Sequence, residues 1–434
     1  MFDVTRHSTV LDNGITVISE HAPHFNRTAL GVNVLAGSVH EPAEKAGIAH
    51  LLEHLLFRGT ETQPATVIQD RIEDLGGNVN GRTSIDQTTY YATVLNDDAG
   101  QAMQLLADLI RNPKIDPQDI DLEKQIVEDE NCRGCFNCTM NEAIFDAAYP
   151  DQPLSRPVIG YKDTVEAITR DDLLAFHREF YVGRNITVAV CGDITHDDVV
   201  KMVMETLGDL PAGEASKWPD LTYVGGDMHM GTSSDDSSVW MSFDVTEFSE
   251  TQKRAVWLFG HILGGHGQSL LMEELREKRG LVYGVSTEME TYARRDILRV
   301  YLQGPSPKIS EICEITIDTM RRAADAMSDA ELAKALRRHH LNALMSLDEL
   351  EGRAYDMLTD VSEVGRICVP NERYQAYQSF TSKDIMAAGQ ALLALTPTIV
   401  LSAPLRHAPK AENLRKRLQG KGQGFLGGLL KRAG

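Results

Sequence analysis

The sequence has few cysteines and lacks a long apolar run. Six cysteines among 434 residues are too few for a disulfide scaffold, so we expect a reducing compartment, the cytoplasm. The best candidate for a membrane span, residues 386–405, is interrupted by Gly389, Gln390 and Pro397. It therefore falls short of the ~18 uninterrupted apolar residues that a span needs. The N-terminal residues resemble neither a secretory signal nor a transit segment, which favours an intracellular protein.

Positive charge is also scarce. Lys and Arg number 43 against 63 Asp and Glu, which gives a formal net charge of −20. This balance argues against a general nucleic-acid-binding protein, which would carry a basic face, and it suits a ligand with basic residues. Apolar residues make up 42% of the chain, as is usual for a globular protein, and its length suggests two or three domains.

A weak internal repeat divides the chain. When the sequence is shifted by 212 positions, Thr169–Ala175 falls on Thr381–Ala387 and the apolar run Ile186–Val190 falls near Ile399–Leu401. Both copies are typical of a capped helix followed by a buried strand. We therefore predict two related halves of about equal size.

The predicted boundaries follow from composition. Prolines and small residues between Leu210 and Pro219 favour a linker, so we assign residues 1–210 to the first half, 211–222 to the linker and 223–420 to the second half. The basic, glycine-rich residues 421–434 are predicted to form a tail.

Strand and helix patterns alternate irregularly, with several hairpin signals, which favours an α+β fold. The predicted strands are Thr28–Val34, Thr88–Leu95 and Ser238–Phe243. The predicted helices are Ala43–Phe57, Ala65–Leu75, Gln101–Arg111 and a helix that Ser249 and Gln252 cap and that runs to about Leu263.

The motif His50-Leu-Leu-Glu53-His54 lies within an apolar helical pattern. Positions i, i+3 and i+4 share one face of a helix, so both imidazoles can reach one Zn²⁺ ion. Glu53 lies on the same face and is placed to take a proton from water. The order of the residues is that of the HxxEH zinc motif. Three unpaired polar groups in an apolar helix would otherwise be costly to bury.

A hydrolytic zinc site usually has a third protein ligand. The helical segment Asp121–Glu130 offers Glu123 and Glu130, which are seven residues apart and therefore lie on one face. Their spacing does not decide which of the two binds the metal.

These residues resemble the pitrilysin family of zinc peptidases, and most of all the branch of the mitochondrial processing peptidase and its bacterial relatives. The resemblance implies Glu130 as third ligand, Glu123 as a supporting residue and one zinc per chain. It also implies two halves, each with a mostly antiparallel sheet and packed helices, which form a clamshell around a chamber. Further matching segments are Leu11–Gly14, Gly37–Ser38, Glu41, Ala46–Ala49, Phe57–Thr60, Gly76–Asn80, Thr89–Tyr90 and Pro153–Gly160, although Gln152 and Ser155 stand where the family has His and Gly.

The second half carries another part of the resemblance. Ser269–Tyr283 is similar to the segment with the family's Arg/Tyr pair, which implies that Arg276 and Tyr283 reach the substrate and the carbonyl to be cleaved. An arginine and a tyrosine hydroxyl are suitable donors to an oxyanion. The second half has no HxxEH or HExxH motif.

The sequence thus predicts a zinc endopeptidase for short or unfolded peptides, with Glu53 as general base. An extended peptide would add to a strand edge in the region from Asn80 to Thr89. The family resemblance suggests a homodimer or pairing with a sister chain.

Two other functions remain open. One is a non-catalytic binding or scaffold subunit of the same fold. The other is a redox or iron–sulfur protein built on Cys132, Cys135 and Cys138, although no fourth thiolate has a suitable spacing. The adjacent His339 and His340 are interpreted as a solvated or partner-facing surface.

Overall fold

The computed structural model describes residues 5–132, 136–361 and 365–420. They form two compact units. Within these described ranges, the first unit takes the residues up to 139, 151–221 and 340–374, and the second takes 140–150, 222–339 and the residues from 375 to 420. Each unit therefore takes a segment from the other half of the sequence. The boundaries assigned at residues 210 and 223 stay a prediction.

The first unit contains a six-stranded sheet in the order β1-β2-β6-β3-β5-β4. β2 and β6 run parallel, and all other neighbours are antiparallel. The strands are β1 Arg6–Val10, β2 Thr16–His21, β3 Arg27–Val34, β4 Asn78–Thr83, β5 Thr88–Leu95 and β6 Ile186–Gly192. In chain order, the α-helices before residue 208 are α1 Ile48–Leu56, α2 Ala65–Asp74, α3 Ala99–Arg111, α4 Pro117–Cys132, α5 Phe136–Ala148, α6 Lys162–Ala167, α7 Arg170–Phe180 and α8 His196–Leu207. Most of α5 belongs to the second unit.

The second unit repeats this topology with five strands in the order β7-β11-β8-β10-β9. Its one parallel pair, β7 with β11, takes the place of β2 with β6. The strands are β7 Asp227–Met230, β8 Asp236–Asp244, β9 Gly284–Tyr292, β10 Arg295–Pro305 and β11 Thr398–Ser402. The remaining helices are α9 Glu250–Gly264, α10 Ile309–Asp325, α11 Asp329–Ser346, α12 Leu350–Thr359, α13 Pro370–Gln378, α14 Ser382–Ala394 and α15 Ala411–Leu418.

The repeated segments seen in the sequence occupy equivalent places in the two units. Thr169 caps α7 and Thr381 caps α14, and each threonine accepts a hydrogen bond from a backbone N–H three residues later. α7 is followed by β6 and α14 by β11. The predicted α+β class and the two related halves are therefore confirmed.

One predicted helix is shorter than expected. The predicted strands and the other predicted helices are confirmed, but the helix predicted over Ala43–Phe57 begins only at Ile48. Residues 43–45 form a separate 3₁₀ turn. Gly47 separates this turn from α1, because its φ is +95°. This left-handed conformation is unfavourable for residues that carry a Cβ atom.

The interpretation of His339 and His340 as a solvated or partner-facing surface stays a prediction. Both are only partly exposed. The ring of His339 lies 4.8 Å from that of Trp257 and 4.5 Å from that of Tyr377, and the ring of His340 lies 4.3 Å from that of Tyr374. Each imidazole therefore packs one side against an aromatic ring and remains partly exposed.

Each sheet is covered on both faces. In the first unit, α1 and its neighbours bury one face, and α12 packs Met357 and Leu358 against Ala29 and Ala189 on the other. In the second unit, residues of α5 pack against Val400 of β11. None of the helices that the structure describes combines the length and apolarity that crossing a bilayer requires.

Buried ion pairs hold α12 to the sheet of the first unit. Glu20 accepts a hydrogen bond from Arg6 at 3.0 Å and pairs with Arg353 of α12 at 2.6 Å. Arg6 also pairs with Asp360 at 3.2 Å. The side chains of these four residues are at most 7% exposed.

We expect Glu20→Gln to destabilise the protein by about 3 kcal/mol or more, because the buried guanidinium of Arg353 then loses its carboxylate partner and that of Arg6 keeps only Asp360. Glu351→Gln is the control, since it breaks an exposed 3.3 Å pair with Arg27 that contributes at most about 1 kcal/mol. Thermal denaturation compares the two. Equal shifts in the melting temperature would show that the buried pairs do not anchor α12.

Candidate metal centre

The rotation of α1 is fixed by its apolar side. Leu51, Leu52, Leu55 and Leu56 are fully buried in the core of the first unit. Each buried leucine contributes about 1.5–3 kcal/mol of hydrophobic free energy. With this side buried, the opposite face carries His50, Glu53 and His54 out of the core.

The structure brings His50 and His54 together with Glu130 of α4. Glu130 Oε2 lies 3.8 Å from His50 Nε2 and 3.9 Å from His54 Nε2. One ligand atom from each residue lies within 4.8 Å of the others. This is the only group of three or more metal-binding side chains within the described residues.

His54 is oriented by Glu123, the other acid of α4. His54 Nδ1 lies 2.8 Å from Glu123 Oε2, and Arg58 donates a hydrogen bond to Glu123 Oε1. Burial of Glu123 would raise its pKa, but the hydrogen bonds from His54 and Arg58 outweigh burial and lower it. Glu123 is therefore a carboxylate that holds Nδ1 of His54 as a donor and leaves Nε2 free to face Glu130.

The two histidines differ in their protonation. Burial, followed by the neighbouring charge of His54, lowers the pKa of His50 to about 4. Burial also opposes protonation of His54, but the hydrogen bond with Glu123 and the surrounding carboxylates outweigh it and raise its pKa. His50 is thus neutral, the form that binds metals, whereas metal ions compete with a proton at His54.

Glu53 points from α1 toward β4. Its Oε2 accepts hydrogen bonds from the backbone N–H of Thr83 at 3.1 Å and from Thr83 Oγ1 at 2.9 Å. Burial raises the pKa of Glu53 above its usual value, although the bonds from Thr83 oppose this shift. Gly81 makes the close approach possible, because a Cβ at this position would lie 2.7 Å from Glu53 Oε1.

The donor set fits a zinc ion. Zinc bound tetrahedrally at 2.0–2.2 Å separates its ligand atoms by about 3.3 Å. The distances of 3.8 and 3.9 Å from Glu130 to the imidazoles exceed this value by only about half an ångström. Two imidazole nitrogens and one carboxylate, with a fourth position left over, are the ligands of hydrolytic zinc sites.

The remaining predicted site residues lie on β4, on β5 and in the second unit. Asn80 is on β4, the last strand of its sheet within the described residues, whereas Thr89 is on β5 and is paired on both sides. Arg276 lies in a short helical turn, Met272–Glu277, of the second unit, and Tyr283 directly precedes β9 with 75% of its surface exposed. The roles assigned to these four residues stay predictions.

Two residues that hold the acids of the metal centre in place, Arg58 and Thr83, were not identified from the sequence. Arg58 follows the helix that carries the motif, and its position one turn beyond His54 is the signal that could have revealed it. Thr83 lies two residues after Gly81 on a strand, so both point to one face. Cys132, Cys135 and Cys138 have side chains outside the described residues.

Two family models match the chain in succession. The model described as "Insulinase (Peptidase family M16)" matches residues 16–162, which include His50, His54 and Glu130. The model described as "Peptidase M16 inactive domain" matches residues 167–338.

Several relatives match most of the chain. An "uncharacterized zinc protease" of Mycobacterium leprae is 32% identical over 332 residues, which are 74% of this chain and 75% of the relative. One of Rickettsia felis is 25% identical over 397 residues, or 91% and 96% of the two chains. The "mitochondrial-processing peptidase subunit beta" of Blastocladiella emersonii is 25% identical over 427 residues, or 94% and 91%.

Two solved structures share the fold. A protease from Helicobacter pylori superimposes with a TM-score of 0.83 at 20% identity, over 93% of this chain and 100% of the other. A "peptidase M16 inactive domain" from Pseudomonas fluorescens gives a TM-score of 0.82, also at 20% identity, over 94% and 100%. At this identity the likeness shows the fold alone.

We expect Glu130→Gln to abolish tight zinc binding and Glu123→Gln to weaken it about 10–100-fold, because the first removes a ligand and the second a partner of His54. Glu128→Gln on the same helix is the control, since Glu128 pairs with Lys162 at the surface. Zinc titrations against a competing chelator measure all three. Wild-type affinity in Glu130→Gln would contradict the proposed ligand set.

Proposed function

Because the chain belongs to peptidase family M16, as its resemblance to the pitrilysin-type zinc peptidases predicted, we propose that it is a zinc-dependent endopeptidase. The observation that carries the proposal is the convergence of His50, His54 and Glu130, with Glu53 on the same helix face. The relatives named zinc proteases support this function.

The residues divide the chemistry among them. Zn²⁺ held by His50, His54 and Glu130 would polarise the peptide carbonyl and make water more acidic. Glu53 takes a proton from the attacking water and later gives it to the leaving amine. Burial raises the pKa of Glu53. A carboxylate with a raised pKa is a stronger base, so it accepts the proton from water more readily at neutral pH.

β4 is proposed to bind the substrate as an extended strand. It lies at the edge of the sheet within the described residues, and Thr83 at its end contacts Glu53. A peptide added along this edge would be held by main-chain hydrogen bonds. Such pairing requires an extended backbone, so the substrates are short or unfolded peptides.

Arg276 and Tyr283 are proposed to donate hydrogen bonds to the oxyanion that forms during the attack. Their support is the family resemblance of Ser269–Tyr283 and the exposure of Tyr283. We further propose that the protein acts in the cytoplasm as a homodimer or with a sister chain. The relative named as a beta subunit supports such pairing.

Glu53→Gln tests the catalytic role of the carboxylate. The amide cannot accept the proton, so we expect cleavage of an unstructured peptide to fall at least ~100-fold while zinc remains bound. Mass spectrometry of the products, with and without a chelator, measures cleavage. The exposed Glu44 supplies the control, Glu44→Gln. Full activity in Glu53→Gln would refute the role, and a wild-type protein that binds zinc without cleaving any peptide would favour a scaffold.

Tyr283→Phe tests the contribution of the second half. Loss of one oxyanion donor should lower kcat about 100-fold and leave the zinc content unchanged. Tyr161→Phe is a matched control on an exposed tyrosine of the first unit. If Tyr283→Phe retains wild-type kcat, Tyr283 does not stabilise the transition state.

A further inference from the structure

Thr83 contacts Glu53 through both of its donors, which bind the same carboxylate oxygen. The backbone N–H lies 3.1 Å and Oγ1 lies 2.9 Å from Glu53 Oε2. Two donors from one residue restrain the position of Oε2. Thr83 is the last residue of β4, so the strand that forms the sheet edge also holds the carboxylate.

The proton of the Thr83 hydroxyl is committed to Glu53. The neighbouring hydroxyl oxygen, Thr88 Oγ1, lies 3.4 Å from Thr83 Oγ1. Thr88 donates its own single proton to the carbonyl oxygen of Ala36 at 2.8 Å. Of the two acceptors near Thr83 Oγ1, the carboxyl oxygen of Glu53 lies closer and forms the stronger bond.

The other oxygen of Glu53 is left open. Oε1 faces Gly81, which lacks the Cβ that would lie 2.7 Å away. Oε1 has no hydrogen-bond donor within the described residues. The two oxygens of Glu53 are therefore not equivalent, since Oε2 accepts two hydrogen bonds and Oε1 accepts none from the described residues.

We propose that Thr83 is the positioning residue of the general base, and that Oε1 is the oxygen that takes the proton. In this step an O–H bond of the attacking water breaks and an O–H bond to Oε1 forms. The same proton then passes from Oε1 to the amine nitrogen as the C–N bond breaks. The inference rests on the proposed peptidase function of Glu53.

The same contact limits where a substrate can pair with β4. The backbone N–H of Thr83 is engaged by Glu53 and cannot bind a peptide carbonyl. Pairing along the edge therefore ends at Thr83, beside the catalytic carboxylate. This places the bond to be cleaved next to the end of the paired segment.

Thr83→Val and Thr83→Ser test the role of the hydroxyl. Valine keeps the shape and the strand preference of threonine but removes the donor, so we expect kcat to fall about 10–100-fold with KM changed less than about twofold. Serine restores the donor and should return kcat to within about threefold of wild type. Thr93→Val is the control, because Thr93 is a more deeply buried threonine on the neighbouring strand β5 and has no hydrogen bond to Glu53.

Crystal structures of the zinc-loaded variants give a readout independent of activity. The carboxylate of Glu53 should rotate or move in Thr83→Val and stay in place in Thr83→Ser. An unmoved carboxylate together with wild-type kcat in Thr83→Val would overturn the inference. If the wild-type protein cleaves no peptide but Glu53 still moves in Thr83→Val, the peptidase function fails while the positioning by Thr83 stands.

Discussion

The metal centre depends on the burial of one side of α1. Four leucines that are fully buried leave this helix a single rotation, because turning it would expose them to water. That rotation directs His50, Glu53 and His54 toward α4 and β4, where Glu130, Glu123 and Thr83 meet them. Burial of the leucines thus supplies the free energy that fixes the rotation of α1. Helix geometry then places the three polar side chains on the opposite face.

The local parts of the site could be predicted from the sequence. The spacing of His50, Glu53 and His54 is short enough for helix geometry alone to place them on one face. Glu130 could be reached only through the family resemblance, since spacing did not separate it from Glu123. The structure separates them, because Glu123 contacts Nδ1 of His54 while Glu130 faces Nε2.

The parts that the sequence did not predict depend on long-range packing. The exchange of residues 140–150 and 340–374 between the units cannot be derived from local patterns, because these helices show no periodicity that indicates which sheet they cover. The contact of Thr83 with Glu53 joins residues thirty positions apart and needs the order of the strands. The helix predicted from Ala43 starts only at Ile48 because Gly47 adopts a left-handed conformation, which the apolar pattern does not indicate.

The two units show that the fold and the site are separate properties. Their sheets share one strand order and one parallel pair, yet the metal-binding cluster found within the described residues belongs to the first unit alone. The most direct test is X-ray diffraction recorded on both sides of the zinc absorption edge from zinc-loaded crystals. We expect one strong anomalous peak at about 2.0–2.2 Å from His50 Nε2, His54 Nε2 and a Glu130 oxygen. A peak at Cys132, Cys135 and Cys138 instead, or none at the histidines, would contradict it.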